Sequence, residues 1–172
     1  MSRDFPDWID VRRAAQAGRR FAGEARLEWM PRVLDLLDAP APTDAIAFEI
    51  DAAIDEQRTA RLSVHVHGEV PMTCQRTLER FMQPIDSGST VAIVASEREA
   101  EALPDDLEPK LVTDARLRLV ELVEDELLLA LPLVPRDPAS EPVVGDDAAA
   151  DDERTNEDGP FAELARLRRG RH

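Results

Sequence analysis

Apolar and polar positions alternate with a period of two through the middle of the chain. "AIAFEIDAAI" puts Ile46, Phe48 and Ile50 on one side. "TARLSVHVHGEV" puts Leu62, Val64 and Val66 on one side and His65 and His67 on the other. Alternation of this kind marks strands with one buried and one wet face. The polar "DEQR" between them is turn-like, and "LERFMQPID" and "STVAIVAS" extend the pattern around "DSG". These runs predict an α+β fold: an antiparallel β meander or partly open barrel, packed by a few helices.

The helices are expected on both flanks of that stretch. "WIDVRRAAQAG" reads as a short helix with Asp10 as its N-cap and Gly18 as its stop. "RRFAGEARLE" alternates through Phe21, Gly23, Ala25 and Leu27, as a strand does. "EWMPRVLDLLDAP" is a second helical piece, with Pro31 tolerated only in its first turn and Pro40 and Pro42 closing it. "SEREAEALPDDLEP" reads as a short acidic helix or loop. The strongest helical signal is "LVELVEDELLLALPLVP". Val120, Val123, Leu127 and Leu131 recur at helical spacing, Leu119, Leu122 and Ala130 widen the stripe, and Pro132 and Pro135 end it.

The pattern then stops. "RDPASEPVVGDDAAADDERTNEDG" is too polar to bury the apolar area that would offset the entropy of ordering. The expected organisation is one α+β domain over 1–136, a disordered acidic linker over 137–158, and a basic amphipathic segment over 159–172. In that last segment Phe161, Leu164 and Leu167 form a small helical face with arginines behind it.

Composition adds constraints. Only 4% of the 172 residues are aromatic against 43% apolar, so aliphatic packing must fill the core. The net charge of −15 repels phosphate and argues against nucleic-acid binding by the whole surface. Its distribution is uneven. Residues 1–34 hold seven arginines and five acids, a net of +2, whereas residues 97–126 hold eleven acids and four bases, a net of −7. The last fourteen residues hold four arginines and one acid, a net of +3. The single cysteine, Cys74, rules out an internal disulfide framework. The N-terminus has no apolar signal core, and no stretch reaches the ~18 apolar residues that span a bilayer. The expectation is a cytoplasmic protein with no membrane contact.

Four blocks, "TCQR", "EALPDDLEP", "LVELVEDELLLALPLVP" and the terminal "PFAELARLRR", resemble in order and spacing the YceD family, the large ribosomal RNA subunit accumulation proteins. The resemblance implies a role in 23S rRNA accumulation and large-subunit biogenesis, with no enzymatic activity. Its gene neighbourhood implies ribosomal protein bL32 as a partner. Family members often read Cys-x-Arg-Cys where this chain reads Cys74-Gln75-Arg76-Thr77, and some carry histidine and cysteine after the Leu-Pro-x-x-Pro turn, where "VPRDPASEP" has neither. A structural zinc site needs about four ligands, usually thiolate or imidazole. With one thiol, no metal or other cofactor is expected.

Individual residues leave alternatives open. Cys74 is either a small packed residue or a thiolate activated by Arg76. His65 and His67 share a strand face, solvent-facing or ligating a metal with an acidic partner. Glu121, Glu124 and Asp125 fall largely on the exposed side of the main helix, as a solvated face or as carboxylates for acid–base chemistry. Glu126 falls within the apolar arc and, buried there, needs a partner. Arg76 is the expected one, tying sheet to helix. Phe161, Arg168 and Arg169 belong to a segment that either docks as a terminal helix or serves as a tethered recognition element.

Three functional classes follow. The favoured one is a non-enzymatic ribosome-biogenesis factor. It would meet a ribosomal protein or pre-large-subunit particle through acidic patches, and rRNA through its arginine-rich termini. The second is a metal-dependent enzyme acting on rRNA precursors through the carboxylates near Glu124. The third is an acidic chaperone for a basic ribosomal protein. Oligomeric state is not legible.

Overall fold

The computed structural model describes residues 5–104 and 107–140. Strand β1 (Trp8–Asp10) leads into helix α1 (Val11–Gln16), and β2 (Arg20–Arg26) into a 3-10 turn (Leu27–Trp29) and helix α2 (Pro31–Leu34). Three long strands follow: β3 (Ala45–Ile54), β4 (Ala60–Thr73) and β5 (Arg80–Val94). Helix α3 (Glu97–Glu101), strands β6 (Glu108–Leu111) and β7 (Arg116–Arg118), and helix α4 (Leu119–Ala130) complete the order. The main sheet runs β2-β3-β4-β5-β6, and β1 pairs with β7 in a separate ribbon. All pairings are antiparallel except β5 with β6. The sheet is an open meander and does not close into a barrel.

Local chemistry accounts for the first elements. The Asp10 side chain accepts a hydrogen bond from the Arg13 backbone N at 2.9 Å and caps α1. Gly18, with φ +58°, ends the same helix in the left-handed conformation that glycine adopts without cost. The second helical piece is shorter than its sequence pattern predicts. Pro31 starts α2 after the separate 3-10 turn, and the helix ends at Leu34, before the prolines.

Ile46, Phe48, Ile50, Leu62, Val64 and Val66 lie on the inner face of the sheet, as the alternation predicts. Gly68 holds φ +143°, a backbone conformation that L side chains rarely adopt, and a Cβ there would also meet Ile46 Cδ1 at 2.9 Å. The aliphatic core also holds aromatic contacts: Phe5 lies edge-on to Phe48 with centroids 4.8 Å apart and to Trp29 at 6.3 Å.

The "DSG" run is no break. β5 passes through Asp86, Ser87 and Gly88 without interruption, and Ser87 and Ser89 occupy inner-face positions opposite Val66 and Val64. α4 packs over β4 and β5 and also meets α2. Burial on both sides explains its wide apolar stripe, with Leu119, Val120, Leu122, Val123 and Leu127 all inside. Among the described residues no helix is long and apolar enough to cross a membrane.

Candidate functional site

Three consecutive carboxylates on α4 point three ways. One residue of helix turns the direction by about 100°, so Glu124 and Glu126 leave on nearly opposite sides. Glu124 faces α2. Its Oε1 accepts from the Arg32 backbone N at 2.7 Å, and its Oε2 accepts from Arg32 Nε at 3.0 Å and Nη2 at 2.8 Å. The expectation of an exposed Glu124 is overturned. The residue is 4% exposed, because α2 lies over the helix face that the sequence pattern leaves in water.

Asp125 lies between two cations, with Arg32 Nη2 at 2.7 Å and the Lys110 ammonium in direct contact. Burial alone would raise its pKa, but hydrogen bonds from Lys110 and Arg32 hold the carboxyl below the usual range. The same carboxylates, Glu124 first and Asp125 second, raise the Arg32 guanidinium above its ordinary value.

Glu126 is buried, as its place in the apolar arc predicts, but Arg76 is not its partner. Ser87 Oγ donates to Oε1 and Ser89 Oγ to Oε2. Two hydroxyls on the inner face of β5 replace the expected arginine. They explain why a strand interior carries serines where the alternation calls for apolar residues: they satisfy a carboxylate that would otherwise be buried without partners.

Arg76 instead closes the corner that holds Cys74. Its guanidinium donates to Ser140 Oγ at 3.0 Å through Nε, and to the Ser140 and Asp137 carbonyls through Nη2. Residues 137–140, which the pattern assigns to a linker, therefore pack on the tip of the β4–β5 hairpin. Cys74 is fully buried there. Its Sγ accepts from the Asp137 backbone N at 3.4 Å, and Ser140 Oγ lies 3.8 Å away. The Asp137 N–H, followed by the side chain and backbone of Thr77, lowers the thiol pKa to about 6 against the opposing effect of burial. Arg76 contributes only through its backbone N–H, so the thiolate is favoured chiefly by hydrogen bonds.

His65 and His67 stack on the exposed sheet face with centroids 5.3 Å apart, and His65 Nε2 lies 2.7 Å from Asp86 Oδ1. Among the described residues no group of three or more histidine, cysteine, aspartate or glutamate side chains is arranged to hold a metal ion. A groove of about 280 Å³ runs beside Glu126, between α4 and the β5–β6 edge, with Lys110 and Asp125 in its wall.

The structure thus places the two motif blocks apart. Cys74 and Arg76 sit at one end of the β4–β5 hairpin, and the Glu124–Glu126 run sits on the helix. Phe161, Arg168 and Arg169 lie outside the described residues. Sequence reasoning missed Arg32, Lys110, Ser87 and Ser89. Lys110, as the one lysine, and the polar "DSGST" inside an alternating run were the available signals.

The architecture defines an α+β protein whose helix carboxylates are bound by the fold's own cations and hydroxyls. The chain belongs to the YceD family: the model described as "Large ribosomal RNA subunit accumulation protein YceD" matches residues 62–168. A Haemophilus influenzae protein of that name is 33% identical over 123 residues, which cover 67% of this chain and 69% of the relative. No solved structure matches the chain.

Proposed function

We propose that the chain is a non-enzymatic factor in large-subunit biogenesis that supports accumulation of 23S rRNA in the cytoplasm. The observation that carries this reading is family membership, with a relative named for large ribosomal RNA subunit accumulation. The helix geometry supports it. Acid–base or metal-assisted cleavage needs carboxylates open to substrate, whereas Glu124 and Asp125 are tied to Arg32 and Lys110, and Glu126 to two serines. Such groups hold the helix in place. Acidic surfaces then serve a basic ribosomal protein, and the arginine-rich N-terminal region serves rRNA.

Sucrose-gradient sedimentation of cell lysate tests the reading. The expected result is comigration of the protein with immature large subunits, and loss of 23S rRNA when the protein is depleted. Exclusive sedimentation as free protein, or cleavage of precursor rRNA by pure protein with magnesium that Glu124→Gln abolishes, would overturn it.

A further inference from the structure

Many basic side chains in this acidic fold are committed to carboxylates, as Arg20 is to Glu49, Arg61 to Asp55, and Arg32 and Lys110 to Asp125. Arg13, Arg19 and Arg116 form no ion pair among the described residues, as is true of several other arginines; their position sets them apart. They gather at one end of the molecule. An open cavity of about 620 Å³ is lined there by Trp8, Asp10, Arg13, Arg19 and Phe21. The β1–β7 ribbon carries Trp8 opposite Arg118 and Asp10 opposite Arg116 on its outer face.

Trp8 is 55% exposed, although the chain has only two tryptophans and no tyrosine. The Arg118 guanidinium lies 5.7 Å from its ring centroid and holds a carboxylate, Glu121, at 3.3 Å. The Arg19 guanidinium lies 5.6 Å from the Phe21 ring. Asp10, the acid that lines the cavity, is engaged as the cap of α1.

We propose that this cavity is a platform for single-stranded RNA, with an unpaired base stacked on Trp8 and the flanking phosphates met by Arg13, Arg19 and Arg116. An accessible indole and uncommitted guanidiniums are the two components that single-strand recognition combines. Every base offers a π-face, so the platform tolerates sequence variation. A duplex keeps its bases inside the stack and presents phosphates alone. An acidic peptide would satisfy the arginines but make no stacking contact with the part of the indole that Arg118 leaves exposed. The net charge of −15 does not forbid the site, because exposed charges beyond about 8 Å are largely screened at physiological ionic strength.

The proposal deepens the biogenesis reading by naming its RNA-facing surface, and its binding test uses the purified full-length chain, with sedimentation of the variant as a second arm. Tryptophan fluorescence is followed while a short oligoadenylate is added. Trp29, partly buried beside Phe5, serves as the internal reference. Expected results are quenching of the Trp8 emission, roughly tenfold weaker binding for Trp8→Ala, and near-normal affinity without the quenching for Trp8→Phe. The logarithm of affinity should fall against that of salt with a slope of about −2, for three arginines at ~0.7 per phosphate. Arg13→Glu with Arg19→Glu should flatten that slope while circular dichroism stays unchanged. Unaltered affinity in Trp8→Ala, equal affinity for a duplex, or equal competition by a polyglutamate peptide would overturn the platform. Comigration with large-subunit precursors that survives Trp8→Ala would remove the platform and leave the biogenesis role standing.

Discussion

Arg32 and Glu124, 92 residues apart in sequence, meet in a three-bond contact that joins the N-terminal helices to α4. The carboxylate is buried and the guanidinium half-exposed, with side-chain exposures of 5% and 52%. The cost of breaking the contact therefore depends on which partner is removed.

Arg32→Ala keeps the backbone bond to Glu124 Oε1 but strips Oε2 of both its donors. A loss of about 2 kcal/mol is expected from a buried acceptor left short of partners. Urea unfolding checks it: the midpoint should fall, and Arg32→Lys should restore only part of the loss because an ammonium lacks the fork. An unchanged midpoint in Arg32→Ala would show the contact to be energetically idle.

Glu126 and its serines should behave as one unit. Removing both hydroxyls, Ser87→Ala with Ser89→Ala, leaves a buried carboxylate without donors and should cost about 2–3 kcal/mol. In a Glu126→Leu background the same pair of changes should cost far less, because no charge remains to satisfy. A double-mutant cycle measures the difference, and additive effects would contradict the hydrogen bonds from Ser87 and Ser89 to Glu126.

Cys74 makes stability depend on pH. Its folded-state pKa of about 6 lies below the unfolded value of about 8.5. The unfolded chain therefore binds more protons between these values, and stability rises with pH across that window. The contribution is complete above the unfolded pKa and is lost as pH falls through about 6. Unfolding midpoints measured from pH 6 to 9 should climb in the native chain and climb less in Cys74→Ser. Parallel curves would reject a depressed thiol pKa.

Leu78 offers a stabilising change. It sits in the β4–β5 turn at φ +60° and is 75% exposed, so it incurs backbone strain with little burial in return. Leu78→Gly should be neutral or stabilising by up to about 1 kcal/mol, even though glycine raises unfolded-state entropy. A clear fall in thermal midpoint would mean the side chain packs on something important.

The two-residue period, the cap at Asp10, the stop at Gly18 and the helical stripe around Val120 were each legible because they depend on neighbours in sequence. So was the burial of Glu126, which helical spacing alone places among leucines and valines. Its partner was not legible. Ser87 and Ser89 are polar residues inside an alternating run, and by local rules such residues read as a break. The Cys74–Arg76 corner was half legible: the motif stood out, but residues 137–140 pack on it from more than sixty positions away.

Hydrophobic spacing, net charge and the family blocks belong to the sequence by itself, since they rest on residue type and separation along the chain. Only the tertiary structure decided where each charge of α4 goes. A carboxylate's partner is set by which distant element packs against its side of the helix. α2 brought Arg32 to Glu124, β6 brought Lys110 to Asp125, and β5 turned two hydroxyls toward Glu126.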